Sequence, residues 1–233
     1  MDRIINDVEL GQLVVRENSR AKRLVFHTKS DAIYISAPVG ITLREVKEAI
    51  EKLRSQLLAT KKKLTRPLID LNFRIEAEFF KLSVTSGTND RFMAHSEPGK
   101  MQIICPPTAD FTDEKLQEWL RKVIKEALRR NGKIFLHSRL NLLSEQYQLP
   151  YRDLKINASH GRWGSCSGTR MINLSCYLVL LPGHLIDYVL LHELCHTREM
   201  NHGEHFWQLL NQCTDGKAFA LRAELSTHKT EIQ

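Results

Sequence analysis

Five of the ten histidines fall between positions 184 and 205, and three of them are spaced to hold one metal ion. The segment runs His192-Glu193-Leu194-Cys195-His196, then five residues, then His202. On a helix, positions four apart share a face, so the imidazoles of His192 and His196 can reach the same ion. Glu193 lies beside them, where a carboxylate can take a proton from a water activated by that ion. Such a set is the arrangement of a zinc peptidase. With 10 His and 17 Glu in 233 residues, about 0.03 such motifs are expected by chance, and roughly 0.001 with a third His at a fixed place.

The third ligand has more than one candidate. The five-residue gap to His202 suits a short turn after the first helix. Asn201 and Gly203 can adopt left-handed angles that would bring His202 back to the ion. His205 lies one helical turn beyond and is its rival; Glu199 is a weaker one. Arg162, His160, Tyr188 and His184 are candidates, by sequence proximity alone, for stabilising a tetrahedral oxyanion. Asp187 is read either as orienting a ligand His or as capping the helix.

The elements that must position these groups can be read around them. Pro182-Gly183 breaks the chain, and Leu185, Ile186, Val189, Leu190 and Leu194 then recur at helical spacing. Leu191 and Cys195 widen that face, so the helix should be nearly surrounded by protein. A second helix should start near Glu204, with Phe206, Leu209, Leu210 and Cys213 on its apolar side. Upstream, Leu154 to Ala158 and Met171 to Leu181 read as strands, and Met171 to Leu178 is the candidate shelf for an extended substrate.

Further toward the N-terminus, Leu13 to Arg16, Leu24 to Thr28 and Ile33 to Ala37 read as short strands, with a turn at Ser30-Asp31. Thr42 to Glu45 is a capping box opening a helix over about 43–63. Residues 68–105 read as strands with turns near Gly87 to Asp90 and Glu97 to Lys100. Thr112 is read as the cap of a long helix to about Tyr147, with Gly132 a place for a kink or a break. Leu225 to Gln233 reads as a frayed polar end. No internal repeat is evident.

These residues resemble the YgjP-like metal-dependent hydrolases, which are similar to the SprT-like and WLM zincins. The resemblance rests on Arg162-Trp163-Gly164-Ser165-Cys166-Ser167, on Ile172 to Ser175 with Leu178, Leu181 and Pro182, and on Asp187 to His196 running into Asn201-His202-Gly203 and Phe206-Trp207. Ser19 to Leu24 and Ile33 to Pro38 also fit, so it spans about residues 12–215. The stretch 65–105 matches loosely, and Leu57 or Leu58 stands where the family often has Trp. The resemblance implies His192, His196 and His202 as ligands of one Zn2+ per chain, with Glu193 as the catalytic carboxylate. It implies an α+β fold: a zincin-like domain with an active-site helix and a small sheet, preceded by a β-rich region with one helix. The expected divisions are 1–110, 111–217 and a polar tail, 218–233.

Composition is that of an ordinary globular protein, 42% hydrophobic and 26% charged. No apolar run approaches the roughly 20 residues that span a bilayer, and Met1 to Asp7 has no apolar signal core. A cytoplasmic protein with no membrane partner is expected. Five cysteines without a CxxC pair suggest reduced thiols. The expected partner is a peptide or protein substrate. The net charge of +7, with clusters at Lys61 to Lys63 and Arg129-Arg130, leaves a nucleic acid as an alternative, either for a DNA-associated SprT-like protease or for a non-catalytic metal- or nucleic-acid-binding protein.

Overall fold

The computed structural model describes residues 3–29, 31–64 and 67–230, with backbone alone for 62–64. Ser30, half of the expected turn at Ser30-Asp31, lies outside the described residues. The chain divides into two compact units, Met1–Pro67 and Leu68–Ile232.

The first unit is a four-stranded sheet and a helix. The strands are β1 (Arg3–Asp7), β2 (Gly11–Glu17), β3 (Val25–Thr28) and β4 (Ile33–Ala37), followed by α1 (Leu43–Leu64). Their order is β1-β2-β4-β3, with β2 and β4 parallel and both outer pairs antiparallel. Alternation explains the layering: Leu13, Val15, Ile33, Ile35 and Ala37 point to one face and bury against Val46, Ile50 and Leu57. The expected capping box is present. Thr42 N–H donates to Glu45 Oε2 (2.8 Å) and Glu45 N–H to Thr42 Oγ1 (3.3 Å). Strand β1 was not anticipated, because its residues are mostly exposed and do not alternate cleanly.

The second unit begins with the same plan. Strands β5 (Arg74–Glu76), β6 (Lys81–Ser86), β7 (Met93–Glu97) and β8 (Lys100–Cys105) are ordered β5-β6-β8-β7, again with a parallel centre and antiparallel flanks. A helix follows, α2 (Glu114–Gln146). A repeated ββββα topology is therefore present where none was read in the sequence. The two copies share a burial rhythm, with every second residue buried (Ile33, Ile35 and Ala37 in β4; Met101, Ile103 and Cys105 in β8), and rhythm alone leaves little trace in residue identity.

Asp113, not Thr112, caps α2: its carboxylate accepts from the N–H groups of Lys115 and Leu116. Thr112 bonds to Asp110 instead. The helix runs unbroken through Gly132, which packs close to Ile156 and the Cys176 backbone. Buried Asn131 satisfies two strand-end groups, accepting from Gly99 N–H (2.8 Å) and donating to the Phe79 carbonyl (2.9 Å). Residues Ile69 to Cys105 share one core with α2 and the elements after it. The stretch expected to belong with the N-terminal strands up to residue 110 thus packs with the C-terminal elements, because its apolar face needs α2 to cover it.

A three-stranded sheet comes next: β9 (Asp153–Asn157), β10 (Gly164–Cys166) and β11 (Met171–Ser175), in order β10-β11-β9. The expected strand through Leu181 ends at Ser175, whose hydroxyl starts a 3-10 turn over Cys176–Leu180. Three helices follow, α3 (Gly183–Cys195), α4 (Glu204–Cys213) and α5 (Ala218–Leu225). The end of the chain is less frayed than expected: α5 packs on α3, and Thr230 is hydrogen-bonded to His160. Residues 231–233 lie outside the description. All five cysteines are free thiols. Among the described residues no helix is long and apolar enough to cross a membrane.

Candidate metal centre

Helix α3 is apolar on nearly every side, so packing fixes its position. Nine of its residues are buried, among them Leu185, Leu190 and Leu194. Glu78, from the turn between β5 and β6, accepts from Gly183 N–H (2.9 Å) and places a carboxylate at the helix N-terminus. Asp187 neither caps the helix nor orients a histidine. It pairs with Arg139 of α2 through two contacts of 2.6 Å, a planar two-point fit that ties α3 to α2.

His192 and His196 lie one turn apart near the end of α3, and the next turn returns His202 to them. His202 Nε2 is 3.0 Å from His192 Nε2 and 3.1 Å from His196 Nε2. The return is made without left-handed residues, contrary to expectation: Gly203 has φ −77° and its N–H bonds to the Asn201 carbonyl. His205 is exposed and stands outside the group, as does Glu199. The Glu199 backbone does take part, because its carbonyl can only accept. His196 Nδ1 must therefore donate to it (3.0 Å), leaving the Nε2 lone pair for an ion.

Burial and its neighbours push His192 down to about 3, and burial lowers His196 as well. Both rings are therefore neutral, with lone pairs that could bind an ion. The three ligand nitrogens lie within 4.8 Å of one another. Tetrahedral zinc at about 2.0–2.1 Å from each would put them roughly 3.3 Å apart, so the donor set fits such an ion.

Glu193 is buried at 5% exposure, and among the described residues its Oε2 has no hydrogen-bond partner. Burial raises its carboxyl to about 8, opposed by the charge of Arg162. Strand β10 passes directly over it. A Cβ on Gly164 would sit 2.7 Å from Glu193 Oε1, so only glycine permits this approach. Cys166, on the same strand, is a thiol raised to about 11, mainly by burial.

Several roles were not visible in the sequence. Phe206 is fully buried and packs on all three imidazoles, with ring centroids 4.5–4.9 Å away, stacking on His196. Trp207 extends this aromatic floor to Phe219 of α5 (4.7 Å, stacked), with Arg222 over its ring. From the sequence Phe206 reads as part of the apolar side of its helix and of the family motif, not as a floor under the imidazoles. Cys195 points away from the site, as expected, and hydrogen-bonds Cys213. Of the four oxyanion candidates, Arg162 and Tyr188 lie near the site, the Tyr188 ring 6.1 Å from His192. His184 instead pairs with Glu224, and His160 with Thr230 and Tyr177.

The expected shelf is corrected too. Strand β11 is the centre of its sheet, hydrogen-bonded on both sides, and β10 is the edge beside Glu193.

The YgjP-like metallopeptidase family model matches residues 22–228. The chain belongs to that family. Residues outside the family's histidines, Gly164 and Phe206 included, lie within the matched span. No curated protein matches. Among solved structures, the metallopeptidase zymogen jannalysin of Methanocaldococcus jannaschii is similar at 21% identity, covering 38% of this chain and 90% of that one, with a TM-score of 0.34. Family membership makes this chain a metal-dependent peptidase with an α+β fold.

Proposed function

We propose that this YgjP-like protein is a zinc-dependent peptidase in which His192, His196 and His202 hold one Zn2+ and Glu193 is the general base. The observation that carries the reading is the convergence of three imidazoles, with His202 Nε2 3.0–3.1 Å from the other two, beside a buried carboxylate. Three imidazoles suit zinc and leave a coordination position open. When bound, the ion supplies a Lewis acid that polarises the scissile carbonyl and acidifies the attacking water.

The chain's own residues supply the rest. Glu193, desolvated under β10, accepts the water's proton through an oxygen with no competing partner and passes it to the leaving amine. Arg162 keeps a positive charge near that carboxylate. Strand β10 holds the substrate. Trp163 O and Ser167 N–H pair inward with β11, so alternation turns the Gly164 and Cys166 backbone groups outward, where an extended peptide can bond to them.

The test is metal content per chain together with cleavage of an unfolded protein. The wild type should hold about one zinc, and His202→Ala should lose it while His205→Ala keeps it. Glu193→Gln should retain zinc and lose cleavage. Turnover in that variant at matched metal content would sink the assignment.

A DNA-associated protease is a second reading. It is favoured by one observation: residues 1–67 hold 14 Lys and Arg against 8 Asp and Glu, while 68–232 hold 20 against 19. DNA-stimulated cleavage that falls steeply with salt would support it. A purely non-catalytic metal scaffold is disfavoured, since it has no use for a buried unpaired Glu193.

A further inference from the structure

A cavity of about 360 Å³ opens just before β10, lined by His160, Gly161, Arg162 and Trp163 together with His228, Lys229 and Thr230. Its walls are fixed. Thr230 Oγ1 donates to the His160 carbonyl, and His160 Nδ1 donates back to the Thr230 carbonyl (2.7 Å). The Tyr177 hydroxyl holds the other ring nitrogen (3.3 Å). Ser175 Oγ ties the Ser159 carbonyl to the end of β11 (2.9 Å). Among the described residues lining the cavity none is acidic, and among the described residues Arg162 forms no ion pair.

The position matters as much as the charge. Arg162 precedes Gly164 by two residues, and Gly164 lies against Glu193. A substrate strand rises about 3.3 Å per residue. A peptide paired with Gly164 and Cys166 therefore carries a side chain one or two residues from the scissile bond past the mouth of this cavity. The opposite flank of the metal centre differs in kind, being aromatic through Trp207 and Phe219.

Resting on the peptidase reading above, we propose that this cavity is a specificity subsite for an anionic side chain of the substrate, with Arg162 as its recognising charge. A guanidinium presents two parallel N–H donors that match the two oxygens of a carboxylate or of a phosphate ester. The indole of Trp163 gives the stem of that side chain an apolar wall. Arg162 is exposed, so replacing it leaves the fold intact.

The test uses the full-length zinc-loaded chain and a positional set of peptides that differ only by Glu, Gln or phosphoserine at one place. Binding is read by fluorescence anisotropy on the Glu193→Gln protein, and KM and kcat on the wild type. At one position, Glu should bind about tenfold tighter than Gln, appearing in KM and not in kcat. Arg162→Ala should bring that ratio to about one, read by anisotropy in the Glu193→Gln background, and Arg162→Lys should restore part of it. A larger effect with phosphoserine, lost in the same variant, supports the subsite and names phosphate as its preferred anion. An undiminished preference in Arg162→Ala overturns the assignment. So does cleavage with no charge preference, which leaves the peptidase reading standing. Failure to hold zinc, or to bind any peptide, overturns both.

Discussion

The two ββββα modules share strand order and strand directions, yet they use their helices differently. In the first, α1 buries Val46, Ile50 and Leu57 against one sheet, with Leu53 and Leu58 partly buried beside them, and most of its other described residues are exposed. In the second, α2 buries nine residues, because the 3-10 turn, α3 and β9 close over the sides the sheet does not reach. A helix with one partner needs only a narrow apolar stripe, whereas a helix with several must be apolar on several faces. The same topology thus serves as a self-contained unit once and as the platform of a metal centre the second time. The charge follows the division, with nearly all of the net +7 in the first unit.

The sharpest way to test this contrast is a matched pair of glycine changes. Gly164→Ala puts a Cβ within 2.9 Å of three Glu193 atoms. It should reduce cleavage on the order of a hundredfold, since small displacements of catalytic groups have effects of that size, while zinc content stays at the wild-type value. Gly40→Ala, in the first module, meets no atom within 4 Å but must hold φ +83°. It should cost about 1–2 kcal/mol of stability and leave cleavage unchanged. Equal loss of activity in both variants would break the comparison.

A second pair acts on the cores. Leu128→Ala in α2 and Ile35→Ala in β4 both empty fully buried sites, and each should cost about 2–5 kcal/mol. Only the α2 change should also weaken zinc retention, because α2 carries α3 through Arg139 and Asp187. All three tryptophans lie in 68–232, so their emission in a urea titration reports that unit alone. A lower tryptophan midpoint in Leu128→Ala and an unshifted one in Ile35→Ala is the expected outcome.

What the sequence made legible depended on how far apart the interacting residues lie. His192, Glu193 and His196 sit within one helical turn, and the Thr42 to Glu45 box within four residues, so both could be read directly. Helices α1, α2 and α3 announced themselves by 3.6-residue spacing over many turns. The partner of Asp187 lies 48 residues away on α2, and nothing local distinguishes an ion pair from a cap. Gly164 looked like part of a motif, yet the reason it must be glycine is a carboxylate on another element. The edge position of β10 is likewise a property of the whole sheet. Strand β1 was missed because five mostly exposed residues gain their strand state from pairing with β2, from Arg3 opposite Val15 to Asp7 opposite Gly11, and not from burial. The repeat escaped for a related reason: two sheets can share order and direction while sharing only a rhythm of apolar positions.

The smallest expected effect concerns how the first module holds its helix. Arg54 of α1 contacts Asp7 (2.7 Å), Glu9 (2.9 Å) and Glu51 (2.6 Å), joining the helix to the β1–β2 turn. The Arg54 guanidinium, with the N–H groups of Leu10 and Glu9, holds the Asp7 carboxyl well below the usual carboxylate range. A carboxyl depressed in the folded state adds stability above its unfolded value of about 4, and that contribution fades as pH falls below it. Asp7→Asn should therefore match the wild type most closely at low pH, fall behind it as pH rises toward about 5, and stay behind by a constant amount above that. The tryptophan midpoint of the second unit should be indifferent to Asp7→Asn at every pH. Far-UV ellipticity and tryptophan emission, followed in urea from pH 3 to 7, separate the two. A shift of the tryptophan transition in Asp7→Asn would show that the modules unfold as one, and the contrast between them would then end at the level of topology.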